Sequence, residues 1–175
     1  MKLRKIAKRV LGTGHKTFGI LMGLYPAFIF FGLRVRFSKD YLQATLHLPV
    51  RWYFRNGHGT IFGGAILAAS DPFPAIMFSK NLPWALTWTR GHEVEFLKPG
   101  KKRLRGIVNL SIDEIEEARS QLMLHGNFRK TYHYHFLDEK DEIIALVHST
   151  VHMRNPRHSR YTSIRKTNTP SIPEK

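Results

Sequence analysis

The residues best able to do chemistry lie between Asn56 and Pro72, in the stretch NGHGTIFGGAILAASDP. Four glycines and an asparagine precede an apolar run, and the run ends on a single acid, Asp71, followed by proline. A carboxylate at the end of an apolar segment is costly to bury alone, so it caps a helix, pairs with a base, or serves a site. The capping reading is local. Asp71 would close one helical segment and open a second that restarts with Pro72 at its first position. The catalytic reading needs Asp71 to be reachable from a cleft, and the two roles are compatible.

The surrounding elements decide what can reach such a carboxylate. YLQATLHLPV alternates, with Leu42, Ala44, Leu46 and Leu48 on one face, as a half-buried strand does. Arg51–Gly59 is a polar and aromatic loop. Thr60–Lys80 is apolar nearly all round, the signature of a helix in the centre of a fold. Ala85–Lys98 predicts a long strand closed by the turn KPGKK, and Arg103–Ser111 another. Ser111, with Asp113 and Glu114 behind it, marks a short helix or an acidic excursion. NFRKTYHYHFL puts Phe128, Tyr132, Tyr134 and Phe136 on one face, DEKD turns the chain, and EIIALVHSTVHM returns as the last strand. The order is strand, buried helix, then several antiparallel strands: an α+β fold with one helix lying against a strongly curved sheet.

Both ends differ from this core. KLRKIAKRVL places Leu3, Ile6, Ala7, Val10 and Leu11 on one stripe of a short basic helix. Phe18–Leu33 is apolar and uncharged but only 16 residues long, short of the roughly 20 that span a membrane, and Pro26 interrupts it. It reads as a helix broken near Pro26 and packed on the domain, with membrane attachment the lesser reading. The expected organisation is an N-terminal helical segment over 1–32, a core domain over 33–155 and a mobile basic tail over 156–175.

The net charge of +15 belongs mostly to those ends. Lys2, Arg4, Lys5, Lys8, Arg9 and Lys16 lie in residues 1–16, and Arg154, Arg157, Arg160, Arg165, Lys166 and Lys175 in residues 154–175. The other 16 of the 28 basic residues lie between them, with 12 of the 13 acidic ones. Basic tails attract polyanions without choosing among them. Basic-aromatic runs such as RWYFR carry no RNA-recognition or oligonucleotide-barrel signature, so nucleic acid is not an expected partner. The absence of cysteine excludes a disulfide scaffold, a thiolate nucleophile and a cysteine zinc site. No phosphate-cradling glycine motif opens a helix, and no serine sits on a nucleophile elbow. His125, His133, His135, His148 and His152 come late. Four of them (His133, His135, His148, His152) would share a solvated hairpin face, and no metal is expected on that spacing.

Asn56, Gly59-Thr60, Phe62-Gly63-Gly64 and Asp71 together resemble the active-site segment of hotdog-fold thioesterases of the PaaI-like type. Asn56 to Phe62 is six residues and Gly64 to Asp71 is seven, and both intervals match that pattern. VEFLKPGKK is similar to the family's strand ending in an FLKP turn, and the final hairpin matches as well. The resemblance covers roughly Leu33–Asn155 and points to a poorly characterised branch with an added apolar N-terminal segment.

The resemblance implies a hotdog fold, a curved antiparallel sheet wrapped around one central helix. It implies a homodimer or dimer of dimers with acyl-CoA sites at the subunit interface, and no cofactor besides the coenzyme A of the substrate. Backbone N–H groups of Gly63 and Gly64 would hold the oxyanion, Asp71 from the partner copy would be general base or nucleophile, and Asn56 would orient the carbonyl or the water. Thr60 and Phe62 would line the site. Arg90, Lys98, Lys101 and Lys102 are candidates for the phosphates of coenzyme A by charge alone. Phe62 stands where the family places a histidine, which counts against a hotdog dehydratase. The alternative is a non-catalytic hotdog module that binds acyl chains or an anionic membrane surface. The expected location is cytoplasmic, with peripheral membrane contact under that alternative.

Overall fold

The computed structural model describes residues 13–159. The amphipathic stripe of residues 3–11 and most of the basic tail fall outside them. Two short helices come first, α1 (His15–Gly23) and α2 (Pro26–Phe31). Pro26 starts α2, where its missing N–H costs nothing. Phe18 and Phe28 anchor the pair in the core, but Ile20, Leu24, Ile29 and Phe30 remain exposed. No described helix is long and apolar enough to cross a membrane.

The strands are β1 (Arg34–Phe37), β2 (Gln43–Leu48), β3 (Leu86–Phe96), β4 (Leu104–Asn109), β5 (Asn127–Leu137) and β6 (Ile143–Arg154). They form one curved antiparallel sheet in the order β1-β2-β4-β5-β6-β3. β1 is absent from the sequence reading, since four residues are too few to show alternation against the apolar run before them. Its Val35 and Phe37 are buried while Arg34 and Arg36 face out.

Within the sheet lie α3 (Gly63–Ser70) and α4 (Phe73–Asn81). The apolar run over Thr60–Lys80 is therefore two helical segments, divided at Asp71–Pro72, where the capping reading put a second start. Pro72 has no N–H to give the preceding turn and its ring would collide with the carbonyl four residues back, so the helix breaks there. The capping expectation fails in detail. Asp71 ends α3, Pro72 is the residue before α4, and no side-chain hydrogen bond caps α4. The core closes around these helices, with Ala65, Ile66, Ala69, Phe73, Met77 and Phe78 against Leu46, Leu48, Tyr134, Phe136, Val147 and Val151.

The acidic segment is a full helix, α5 (Ile112–His125). Ser111 Oγ accepts from the Glu114 N–H at 3.1 Å, and the Glu114 carboxylate accepts from the Ser111 N–H at 2.9 Å. That reciprocal capping box satisfies two donors at once. Gly126 closes the helix at φ +76°, a conformation that favours glycine.

Candidate functional site

Gly63 and Gly64 are the first two residues of α3, so their N–H groups have no partner within the helix and point along its positive end. Glycine is required by its neighbours. A Cβ on Gly63 would lie 2.8 Å from the Phe96 ring, and one on Gly64 would lie 2.3 Å from the Phe62 ring. The two phenyl rings thus stand over the helix start. Beside it is a cavity of about 460 Å³, lined by Asn56, Thr60, Gly63, Ile66, Phe96 and Lys98 among others.

Asn56 is engaged in building the loop. Its Oδ1 accepts from the N–H groups of His58 (3.0 Å) and Thr60 (3.1 Å), and its Nδ2 donates to Thr60 Oγ1 at 2.8 Å. One Nδ2 hydrogen is left for another acceptor. Lys98 pairs with Glu142 at 3.2 Å and Lys102 with Glu139 at 3.4 Å. Arg90 and Lys101 are exposed and line neither this cavity nor an ion pair among the described residues.

Asp71 lies at the other end of α3. Eight residues of helix separate it from Gly63, about 12 Å along the axis, so one chain does not bring carboxylate and glycine amides together. Its side chain is 52% exposed, which removes the premise of a buried acid. It stands beside strand β3, where Thr89 Oγ1 donates to its carbonyl at 3.3 Å.

There the fold gathers residues that the sequence reading missed. His92 Nδ1 is 4.0 Å from Asp71 Oδ1, and His92 Nε2 is 2.8 Å from Ser70 Oγ. Ser70 Oγ is also 2.9 Å from the Leu67 carbonyl, and the Tyr134 hydroxyl donates to the Ser70 carbonyl. If the Ser70 proton goes to Leu67, His92 Nε2–H donates to Ser70 and the buried Nδ1 faces the carboxylate as an acceptor. Two acceptors at that distance are set to share a proton or a water hydrogen. If Ser70 donates to Nε2 instead, Nδ1–H points at Asp71. Burial holds the His92 pKa below the usual histidine value, and the Asp71 carboxylate offsets part of that. Serine, histidine and aspartate suggest a triad by type, but Ser70 is wholly buried, so substrate has no access to its hydroxyl.

A bulge explains why strand reading did not find His92. The register between β3 and β6 shifts between Thr89 and Gly91. Thr87 and Thr89 face the helices before it, His92 and Val94 after it, opposite the buried Ser149 and Val147. Strict alternation would have sent His92 outward.

By register His133, His135, His148 and His152 share one face of the β5–β6 pair, as expected, but they do not gather at one point. His133 and His148 pair across β5 and β6 with their Nδ1 atoms 2.6 Å apart. His135 lies opposite Leu146 instead. His152 is buried against Trp88, contrary to the solvated face expected for it. Among the described residues no three metal-binding side chains come together.

This curved sheet around a central helical segment is the hotdog fold. Residues 14–152 match the family described as Domain of unknown function (DUF4442), and the chain belongs to that family. Solved structures share the fold at low identity. A Pseudomonas aeruginosa protein of unknown function, described as a probable thioesterase, is 17% identical with a TM-score of 0.66, over 73% of this chain and 85% of its own. A thioesterase from Haemophilus influenzae is 13% identical with a TM-score of 0.61, over 84% and 95%. The E. coli PaaI protein from the phenylacetic acid degradation operon is 15% identical with a TM-score of 0.57, over 76% and 88%. No curated protein matches the sequence.

Proposed function

We propose that this chain is an acyl-CoA thioesterase whose site is assembled from two copies. The observation that carries the reading is the pair of glycines whose amides start α3, with Gly63 lining a cavity, while Asp71 stands exposed at the opposite end of the same helix. Fold neighbours described as thioesterases support it. β3 is an edge strand, and Leu86, Phe96, Leu97 and, on α3, Leu67 are exposed apolar side chains on or beside it. An antiparallel copy joined along β3 would reverse α3 and bring its Asp71 toward the first copy's Gly63.

The chemistry then follows. Asp71 takes a proton from water, and the water oxygen attacks the thioester carbonyl. Gly63 and Gly64 N–H groups hold the negative charge on the carbonyl oxygen. Collapse breaks the carbon–sulfur bond, and the coenzyme A thiolate takes up the proton. Attack by Asp71 itself, with water releasing the acyl group, is the nucleophilic variant. His92 holds the carboxylate in place. Lys98 and Lys102, held only by exposed ion pairs worth little, can turn to the phosphates of coenzyme A, with Lys101 next to Lys102 in the chain; Arg90 stands near the other end of β3, on the Asp71 side.

The test is thiol release from a panel of acyl-CoAs. Wild type should turn over at least one chain length, and Asp71→Asn should lower kcat by about 10²–10⁴-fold. Equal inactivity of both proteins on every chain length would remove the enzymatic reading. The Phe62 ring over Gly64 favours one second reading, a module that binds acyl-CoA without turnover. Saturable binding with no thiol release would establish that one.

A further inference from the structure

Strand β1 lies at the edge of the sheet opposite β3, and a second constellation gathers there. A cavity of about 690 Å³ opens between α1, α2 and β1, with Ile20, Ile29, Leu33 and Val35 in its walls. Arg34, Arg36 and Arg51 line it and also line a neighbouring cavity of about 530 Å³, which Arg103 completes. None of these four arginines forms an ion pair among the described residues. Acids lie at one margin only: Arg103 and His47 also border a further cavity with Asp138, Glu139 and Asp141, where Arg105 pairs with Asp141 at 2.6 Å. Gly32, at φ +66°, fixes Arg51: a Cβ there would lie 2.6 Å from the Arg51 Nε, so the guanidinium rests on the bare backbone.

Aromatic side chains adjoin the charges. Trp52 is 82% exposed and Phe30 56%. Tyr53 joins them: its ring is 5.5 Å from those of Phe30 and Trp52, and 6.0 Å from the Arg51 guanidinium. Its hydroxyl donates to the Phe30 carbonyl at 2.9 Å.

We propose that this face docks on an anionic lipid membrane surface, with Arg34, Arg36, Arg51 and Arg103 at the phosphates and Trp52, Tyr53 and Phe30 in the interfacial layer. Unpaired guanidinium groups match lipid phosphates in charge and hydrogen-bond geometry. Exposed indole and phenol rings prefer the boundary between headgroups and acyl chains. A free phosphate would use the arginines and leave the rings without a role. A second copy packed across a two-fold axis here would set the arginines against their own counterparts, a like-charge contact. The positive field is felt within the fold too: burial, and then Arg36, Arg103, Arg105 and Arg34, lower the pKa of His47. This docking does not depend on the hydrolytic reading.

The experiment is co-sedimentation of the full chain with vesicles of phosphatidylcholine, alone or mixed with phosphatidylglycerol. Wild type should sediment only with the mixed vesicles. The triple variant Arg34→Gln/Arg36→Gln/Arg103→Gln should bind roughly a hundredfold more weakly, about fivefold per charge removed. The matching triple lysine variant keeps the charges and should retain binding, which separates lost charge from damaged structure. The emission of Trp52, taken as wild type minus Trp52→Phe, should shift to the blue on mixed vesicles. Absence of sedimentation with mixed vesicles overturns the proposal. So does a glutamine variant that binds like wild type, which would assign binding to the basic termini. Unchanged Trp52 emission, or complete competition by inorganic phosphate, would mean anion binding alone and also overturns it.

Discussion

Asp71 and His92 show how one contact sets the behaviour of both side chains. The His92 pKa is lowered by burial and pulled back up by the Asp71 carboxylate. Asp71→Asn removes only the second influence, so the His92 midpoint should fall further, read from its ring-proton shifts by NMR across pH. An unmoved midpoint would mean that the carboxylate does not face the ring. The same shift has a sign for stability. Above the ordinary histidine value of about 6.5 the ring is neutral folded or unfolded and contributes nothing. Below it the unfolded chain takes a proton that the folded ring resists, so stability falls until the folded ring also protonates. His47 and His152 are lowered as well and act in the same direction. Denaturant midpoints should therefore drop as the pH falls through and below about 6.5, and His92→Gln should flatten that slope.

Short breaks in regular structure position the site. The Asp71–Pro72 break ends α3 with the carboxylate at the surface, and the bulge in β3 turns His92 inward to meet it. A straight helix and an unbroken strand would have kept these residues apart. Elsewhere, regular capping sets the ends of elements. Ser111→Ala removes the side-chain half of the α5 capping box and should cost about 1 kcal/mol in chemical denaturation. It should leave thiol release unchanged, because α5 packs on β5 through Ile115, Ala118 and Leu122 rather than near α3.

At the scale of the whole molecule the two sheet edges have separate tasks under the proposals above. β3 would join copies and complete the site, while the β1 edge, covered by α1 and α2, would face lipid. The two contacts do not compete for surface. A shared site makes a definite prediction. Asp71→Asn and Gly63→Val would each be inactive alone, one without the carboxylate and one with the amide site obstructed. Refolded together, half the dimers carry one intact site, so about a quarter of wild-type activity should return. No recovery on mixing would remove the shared-site reading.

Much of this was legible in local pattern. The alternation of Leu42–Leu48 and Phe128–Phe136, the all-round apolar run after Gly63 and the Ser111 start signal each report burial within a few residues. That is enough to outline an α+β fold with a central helical stretch against a curved sheet, while the spacing from Asn56 to Asp71, through its resemblance to hotdog thioesterases, points to Gly63, Gly64 and Asp71. What only the tertiary structure decided involves residues far apart in the chain. His92 meets Ser70 and Asp71 through a one-residue register shift that no periodicity announces. Arg34, Arg36, Arg51 and Arg103 converge because β1 folds back on β2 as an edge strand, too short to show in the sequence. Burial repeats along the chain and can be read from it, whereas the meeting of distant side chains depends on register, break and curvature, which are set when the sheet closes around its helices.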